Sequence, residues 1–99
     1  MEVTITKTEE KATAAISGRL DTVSSAELKQ KLDEAGITGL DLELDFMEVE
    51  YISSAGLRLL VLLQRQAASG GHTMVIRNIN NVIREIFRIS GFNKAFTVV

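Results

Sequence analysis

The sequence predicts an α/β domain: a mainly parallel sheet with an N-terminal hairpin, wound as a right-handed β-α superhelix with its helices on one face. Three observations carry this. Two short strand patterns precede the first helical pattern, and each of three helical patterns then joins one strand to the next. Strand–helix–strand crossovers are nearly always right-handed and leave the strands parallel. Finally, Leu40, Leu42, Leu44 and Phe46 alternate with Asp41, Glu43 and Asp45. A strand covered by helices on both faces would read as an unbroken apolar run, so this alternation places the helices on one side.

Val3 to Thr6 alternates and is rich in β-branched residues, which predicts a first strand. Glu9-Glu10-Lys11 forms a polar turn, and Ala12 to Ser17 a second strand that Gly18 stops. Ser24 with Glu27 three positions later matches a capping box, so Ser24 is the expected cap of the first helix. Leu28, Leu32 and Ala35 keep helical spacing, and Gly36 ends it. The strand-like run from Leu40 to Ile52 gives way to a helix over Ser54 to Ser69, stopped by Gly70-Gly71. Leu57, Leu60, Gln64 and Ala67 line its core face, and Leu59 and Leu62 fall off that stripe. Both are expected to pack against a neighbouring helix. His72 to Arg77 reads as a strand and Asn78 to Asn81 as a turn ending in a cap. Val82, Ile83, Ile86, Phe87 and Ser90 mark a third helix closed by Gly91, and Phe96 to Val99 a last strand.

With 99 residues, one domain spanning 1–99 is expected. Apolar residues are 45% of the chain, which argues against disorder. The absence of cysteine excludes disulfides, thiolate metal sites and cysteine nucleophiles. A net charge of −2 with no basic stripe speaks against nucleic acid. The longest apolar run, Leu59 to Leu63, is far too short for a membrane span. Met1-Glu2-Val3-Thr4 shows no secretory signal pattern, so a cytoplasmic protein is expected. His72 has no second histidine or cysteine to share a metal, and no G-x-S-x-G surrounds Ser54. The row Asp41, Glu43, Asp45 reads as a solvated face rather than a catalytic pair. Neither a P-loop nor a G-x-G-x-x-G is present. No enzyme, cofactor or metal is therefore expected.

The segment Ile52-Ser53-Ser54-Ala55-Gly56-Leu57-Arg58 holds two serines and a glycine where strand turns to helix. Free backbone N–H groups and the positive end of the helix dipole collect there and stabilise an anion. A serine in that place can cap the helix, or it can accept a phosphoryl group. Arg58, one turn on, can meet a partner's acid or stay solvated.

The chain resembles the STAS domain, and within it the small free-standing anti-sigma-factor antagonists of bacteria. Ser17-Gly18-Arg19-Leu20-Asp21, the strand Leu42 to Phe46 and the segment Tyr51 to Leu57 carry this resemblance, with Gly70-Gly71 and Ser90-Gly91-Phe92. It implies that the serine two places before the glycine, here Ser54, is phosphorylated. Its partners would be an anti-sigma factor that is also a serine kinase, and a serine phosphatase that resets the switch. The residue before the acceptor is aspartate in the family pattern and Ser53 here, which makes Ser53 the alternative acceptor. Asp21, Ser53, Ser54, Gly56 and Arg58 are the expected partner-binding residues. Bare Ser54 would dock on the anti-sigma factor; the modified residue would repel an acidic surface or cost too much to desolvate. Asp21 either faces that partner or serves as a turn acid ahead of the first helix. A monomer is the expected state. The alternative is an unphosphorylated STAS scaffold in a transport or signalling complex.

Overall fold

The computed structural model describes residues 1–99. Five strands form one sheet: β1 (Glu2–Lys7), β2 (Lys11–Leu20), β3 (Asp41–Ile52), β4 (Met74–Arg77) and β5 (Thr97–Val98). Three helices connect them: α1 (Thr22–Ala35), α2 (Ser54–Ser69) and α3 (Asn81–Ile89). The spatial order is β1-β2-β3-β4-β5, with β1 antiparallel to β2 and all later neighbours parallel. Each crossover moves the chain one place in the same direction. Right-handed connections that never reverse direction put all three helices on one face.

Burial follows that arrangement. Ala12, Leu42 and Met74 stand side by side in register, as do Ala14, Leu44 and Ile76, and all six are buried. Leu28 and Leu32 of α1, Leu57, Leu60 and Leu63 of α2, and Ile83 and Phe87 of α3 complete the core with them. The opposite face is polar and stitched by charge. Glu43 takes the Arg77 guanidinium at 2.5 Å and the Lys11 ammonium at 3.4 Å. Asp41 accepts the Thr73 amide at 3.0 Å and lies 3.3 Å from the His72 ring. Asp45 accepts from the Met47 amide at 3.0 Å and the Asn78 amide group at 3.1 Å.

These contacts hold several carboxyls below their ordinary range. The Thr73 amide does so for Asp41, Arg77 and then Lys11 for Glu43, and Arg88 for Glu85. A carboxyl whose folded pKa is depressed adds stability above its unfolded pKa and loses it as pH falls through the folded one. The urea midpoint is therefore expected to stay level from pH 7 to about 5 and to drop below about pH 4. A urea series over that range checks it.

Several boundaries differ from the sequence reading. Gly18 does not stop β2. It sits inside the strand with φ +89°, between two register shifts, and the pairing with β3 carries the strand on to Leu20. Glycine there supplies a bulge, because an L side chain rarely takes that backbone conformation. The same shifts break the alternation of β3, so that Met47 and Glu48 are both exposed. Ser24 is not the cap of α1; it is the third helical residue, and Asp21 is the cap. His72 precedes β4 and turns to Asp41. Leu59 is buried as expected, but Leu62 remains 42% exposed, and the unremarked Leu63 lies in the core instead.

Candidate functional site

The last residues of β2 and β3, Leu20 and Ile52, are direct neighbours in parallel register. The Ser53 amide donates to the Leu20 carbonyl at 2.8 Å. Both chains leave the sheet here side by side, and each starts a helix within two residues. The caps of α1 and α2, Asp21 and Ser53, thus emerge together at one edge.

At Asp21 the carboxylate accepts the Ser24 amide at 2.9 Å, and the Ser24 hydroxyl accepts the Asp21 amide at 2.9 Å. The Ser24 hydroxyl proton goes to the Arg19 carbonyl at 2.6 Å. This reciprocal box satisfies amides that would otherwise lack partners. The Ser24 amide also holds the Asp21 carboxyl below its ordinary range, so the site carries a negative charge at neutral pH. Asp21 thus works as a cap while remaining exposed to solvent.

The two serines are placed differently. Ser53 has extended backbone and is the cap of α2: its hydroxyl accepts the Gly56 amide at 3.3 Å and its carbonyl the Leu57 amide at 3.0 Å. Ser54 is the first helical residue and is exposed. No protein group engages its hydroxyl. Ser53→Ala is expected to cost about 1 kcal/mol by loss of the cap, and Ser54→Ala less than about 0.5 kcal/mol. Urea titration of both variants separates these roles.

Gly56, expected among the partner-binding residues, is buried and has no side chain to offer. A Cβ there would stand 2.7 Å from the Ile52 Cγ2 and 3.0 Å from the Leu20 carbonyl oxygen. Its glycine lets α2 start hard against the sheet edge, which fixes where Ser54 points. Arg58 is exposed and makes no ion pair. It borders a groove of about 290 Å³ between Ala26 and Lys29 of α1 and Ala55, Leu59 and Leu62 of α2. A larger hollow of about 510 Å³, near Leu40, Leu63 and His72, includes neither serine and no residue before Leu57 on α2.

Sequence reasoning gave no role to three residues at this end. The Arg19 guanidinium lies 4.4 Å over the Tyr51 ring, a cation–π contact set by their pairing in the ladder. Val23, in the first turn of α1, is 69% exposed. The register of β2 on β3 pairs Arg19 with Tyr51, and no local sequence pattern encodes it. No three histidine, aspartate or glutamate side chains cluster closely enough to hold a metal ion.

Comparison with known proteins agrees with the fold. Residues 3–99 match the family described as Mlab, STAS domain. The "Putative anti-sigma factor antagonist BtrV" of Bordetella bronchiseptica is 30% identical over 99 residues, 99% of this chain and 85% of BtrV. The anti-sigma factor antagonist SpoIIAA in its unphosphorylated form superposes with a TM-score of 0.82 at 17% identity, over 99% of this chain and 88% of that one. An anti-sigma factor antagonist from Mycobacterium paratuberculosis gives 0.83 at 18% identity, over 98% and 83%. At these identities the two structures speak to the fold, while the family match and BtrV speak to descent. This chain belongs to the STAS domain family.

Proposed function

We propose that this protein is an anti-sigma factor antagonist, a non-catalytic interaction module switched by phosphorylation of Ser54. One observation carries the choice of residue: the Ser54 hydroxyl is exposed and unengaged in the first turn of α2, while the Ser53 hydroxyl is spent on the Gly56 amide. The name of its 30%-identical relative BtrV supports the choice of function. Ser53 stands where the family pattern has aspartate, and serine caps a helix about as well as aspartate does. The departure therefore keeps the local geometry.

In the bare state the surface around Ser54, Asp21 and Arg58 docks on an anti-sigma factor that is also a serine kinase. The kinase moves the γ-phosphoryl group of ATP to the Ser54 oxygen; the hydroxyl proton is lost to solvent and ADP leaves. The product carries roughly −1.5 to −2 charges at neutral pH. The helix N-terminus tolerates that charge, so the fold persists while the interface does not. A serine phosphatase restores the hydroxyl. The protein acts as a monomer in the cytoplasm, where it exchanges between these partners.

A constitutive scaffold is the second reading, favoured by the missing aspartate. Incubation with the cognate anti-sigma kinase and ATP, followed by site mapping, decides between them. A phosphate on Ser54, lost in Ser54→Ala and kept in Ser53→Ala, is the expected result. No mass gain, with partner binding unchanged in Ser54→Ala and Ser54→Asp, would instead make the chain a scaffold.

A further inference from the structure

A shallow groove between α1 and α2 runs beside the start of α2. Ala26, Ala55 and the buried Leu59 line it together with Leu62, which is 42% exposed. Two cations border it. Lys29 is held by Asp33 at 2.6 Å, and Arg58 has no partner. Ser25 also lines the groove; it is 5% exposed and its hydroxyl has no hydrogen-bond partner. Orphaned buried hydroxyls are uncommon and call for a reason. From Ala55 to Leu62 the groove follows two turns of α2, roughly 10 Å. A shallow apolar groove between two helices, with a free cation on its edge, fits an amphipathic helix that carries a carboxylate.

Ser54 and Arg58 are four residues apart on α2, so their side chains lie on the same side, one turn apart. The acidic group would be the N-terminal member of the pair, the favourable orientation for a helical ion pair. Arginine meets phosphate with two parallel N–H donors.

We propose that a phosphate on Ser54 captures Arg58 within α2, and that the α1–α2 groove takes a carboxylate-bearing helix of the partner only while Arg58 is free. The inference rests on the phosphorylation reading given above. It adds the means by which the switch acts: phosphorylation withdraws the one unpaired cation of the docking groove, beyond any direct repulsion.

The first test uses the full chain with phosphoserine installed at position 54 during synthesis, so it needs no kinase. Phosphorus NMR against pH should give a second phosphate pKa below the usual value of about 6. In Arg58→Gln it should rise by about half a unit or more, and Arg58→Lys should fall between. Equal values in wild type and Arg58→Gln would overturn the capture, even if Ser54 proves to be the biological acceptor. Failure of the kinase to modify Ser54 would instead sink the functional reading and leave the capture standing. The second test measures affinity for the anti-sigma kinase in a four-way cycle. Arg58→Gln should weaken the unmodified chain about tenfold, and phosphorylation should then cost about tenfold less than in wild type. An identical phosphorylation penalty in both backgrounds would show that Arg58 plays no part in release.

Discussion

Gly56→Ala is expected to destabilise the protein by about 1–3 kcal/mol, with a fall in Tm of roughly 5–20 °C. Alanine is the better helix former, so propensity alone predicts a gain of up to ~1 kcal/mol. Packing decides the sign. The new Cβ would meet the Ile52 side chain at 2.7 Å and the backbone oxygen of Leu20 at 3.0 Å. That oxygen already accepts the Ser53 amide at 2.8 Å and belongs to a paired strand, so it cannot move without breaking the junction. The start of α2 must shift instead, taking Ser53 and Ser54 with it. Gly70→Ala, in the same helix's C-terminal cap, has its tightest contact with the edge of the His72 ring, at 3.3 Å, and should cost less than about 0.5 kcal/mol. Urea unfolding of both variants tests the point; equal, small effects would mean that the junction is looser than described.

Phe46→Ala is expected to cost about 3–5 kcal/mol, through lost burial and the cavity left behind. Phe46 is fully buried in the central strand β3. Domains of this size are stable by roughly 5–15 kcal/mol, so the variant should be close to unfolding at moderate urea concentrations. Its neighbour Met47 is 59% exposed, and Met47→Ala should change stability by less than about 0.5 kcal/mol. Chemical denaturation of the pair measures how sharply the sheet divides its two faces. A Phe46→Ala loss below about 1 kcal/mol would show that the helices do not close over β3.

Much of this fold was legible because its local signals agree with one another. The alternation from Asp41 to Phe46 gave the two faces of the sheet, and the helical period of residues 54–69 gave α2 to its boundaries. Capping chemistry misled at α1: Ser24 with Glu27 has the form of a box, yet the box that forms runs from Asp21 to Ser24. Both spacings are three residues, and sequence alone cannot rank them. Gly18 read as a terminator because a breaker's effect depends on the neighbouring strands, which hold β2 together through the bulge. At the site, Ser54 could be marked from the segment around Gly56. The pairing of Arg19 with Tyr51, and of Leu20 with Ile52 just before the two caps Asp21 and Ser53, comes from strand register, a long-range property. Gly56 showed its reason only in three dimensions, because a missing Cβ gives no hint of what would have collided with it.

The proposed switch requires that the group on the Ser54 oxygen control partner binding. The most direct measurement is the affinity of the anti-sigma kinase for the chain before and after phosphorylation, in wild type and in Ser54→Ala. Phosphorylation should weaken wild-type binding by about a hundredfold or more, while Ser54→Ala binds and no longer responds to kinase and ATP. Equal affinity for the two forms of the wild-type chain would contradict the account and leave the protein a constitutive adaptor.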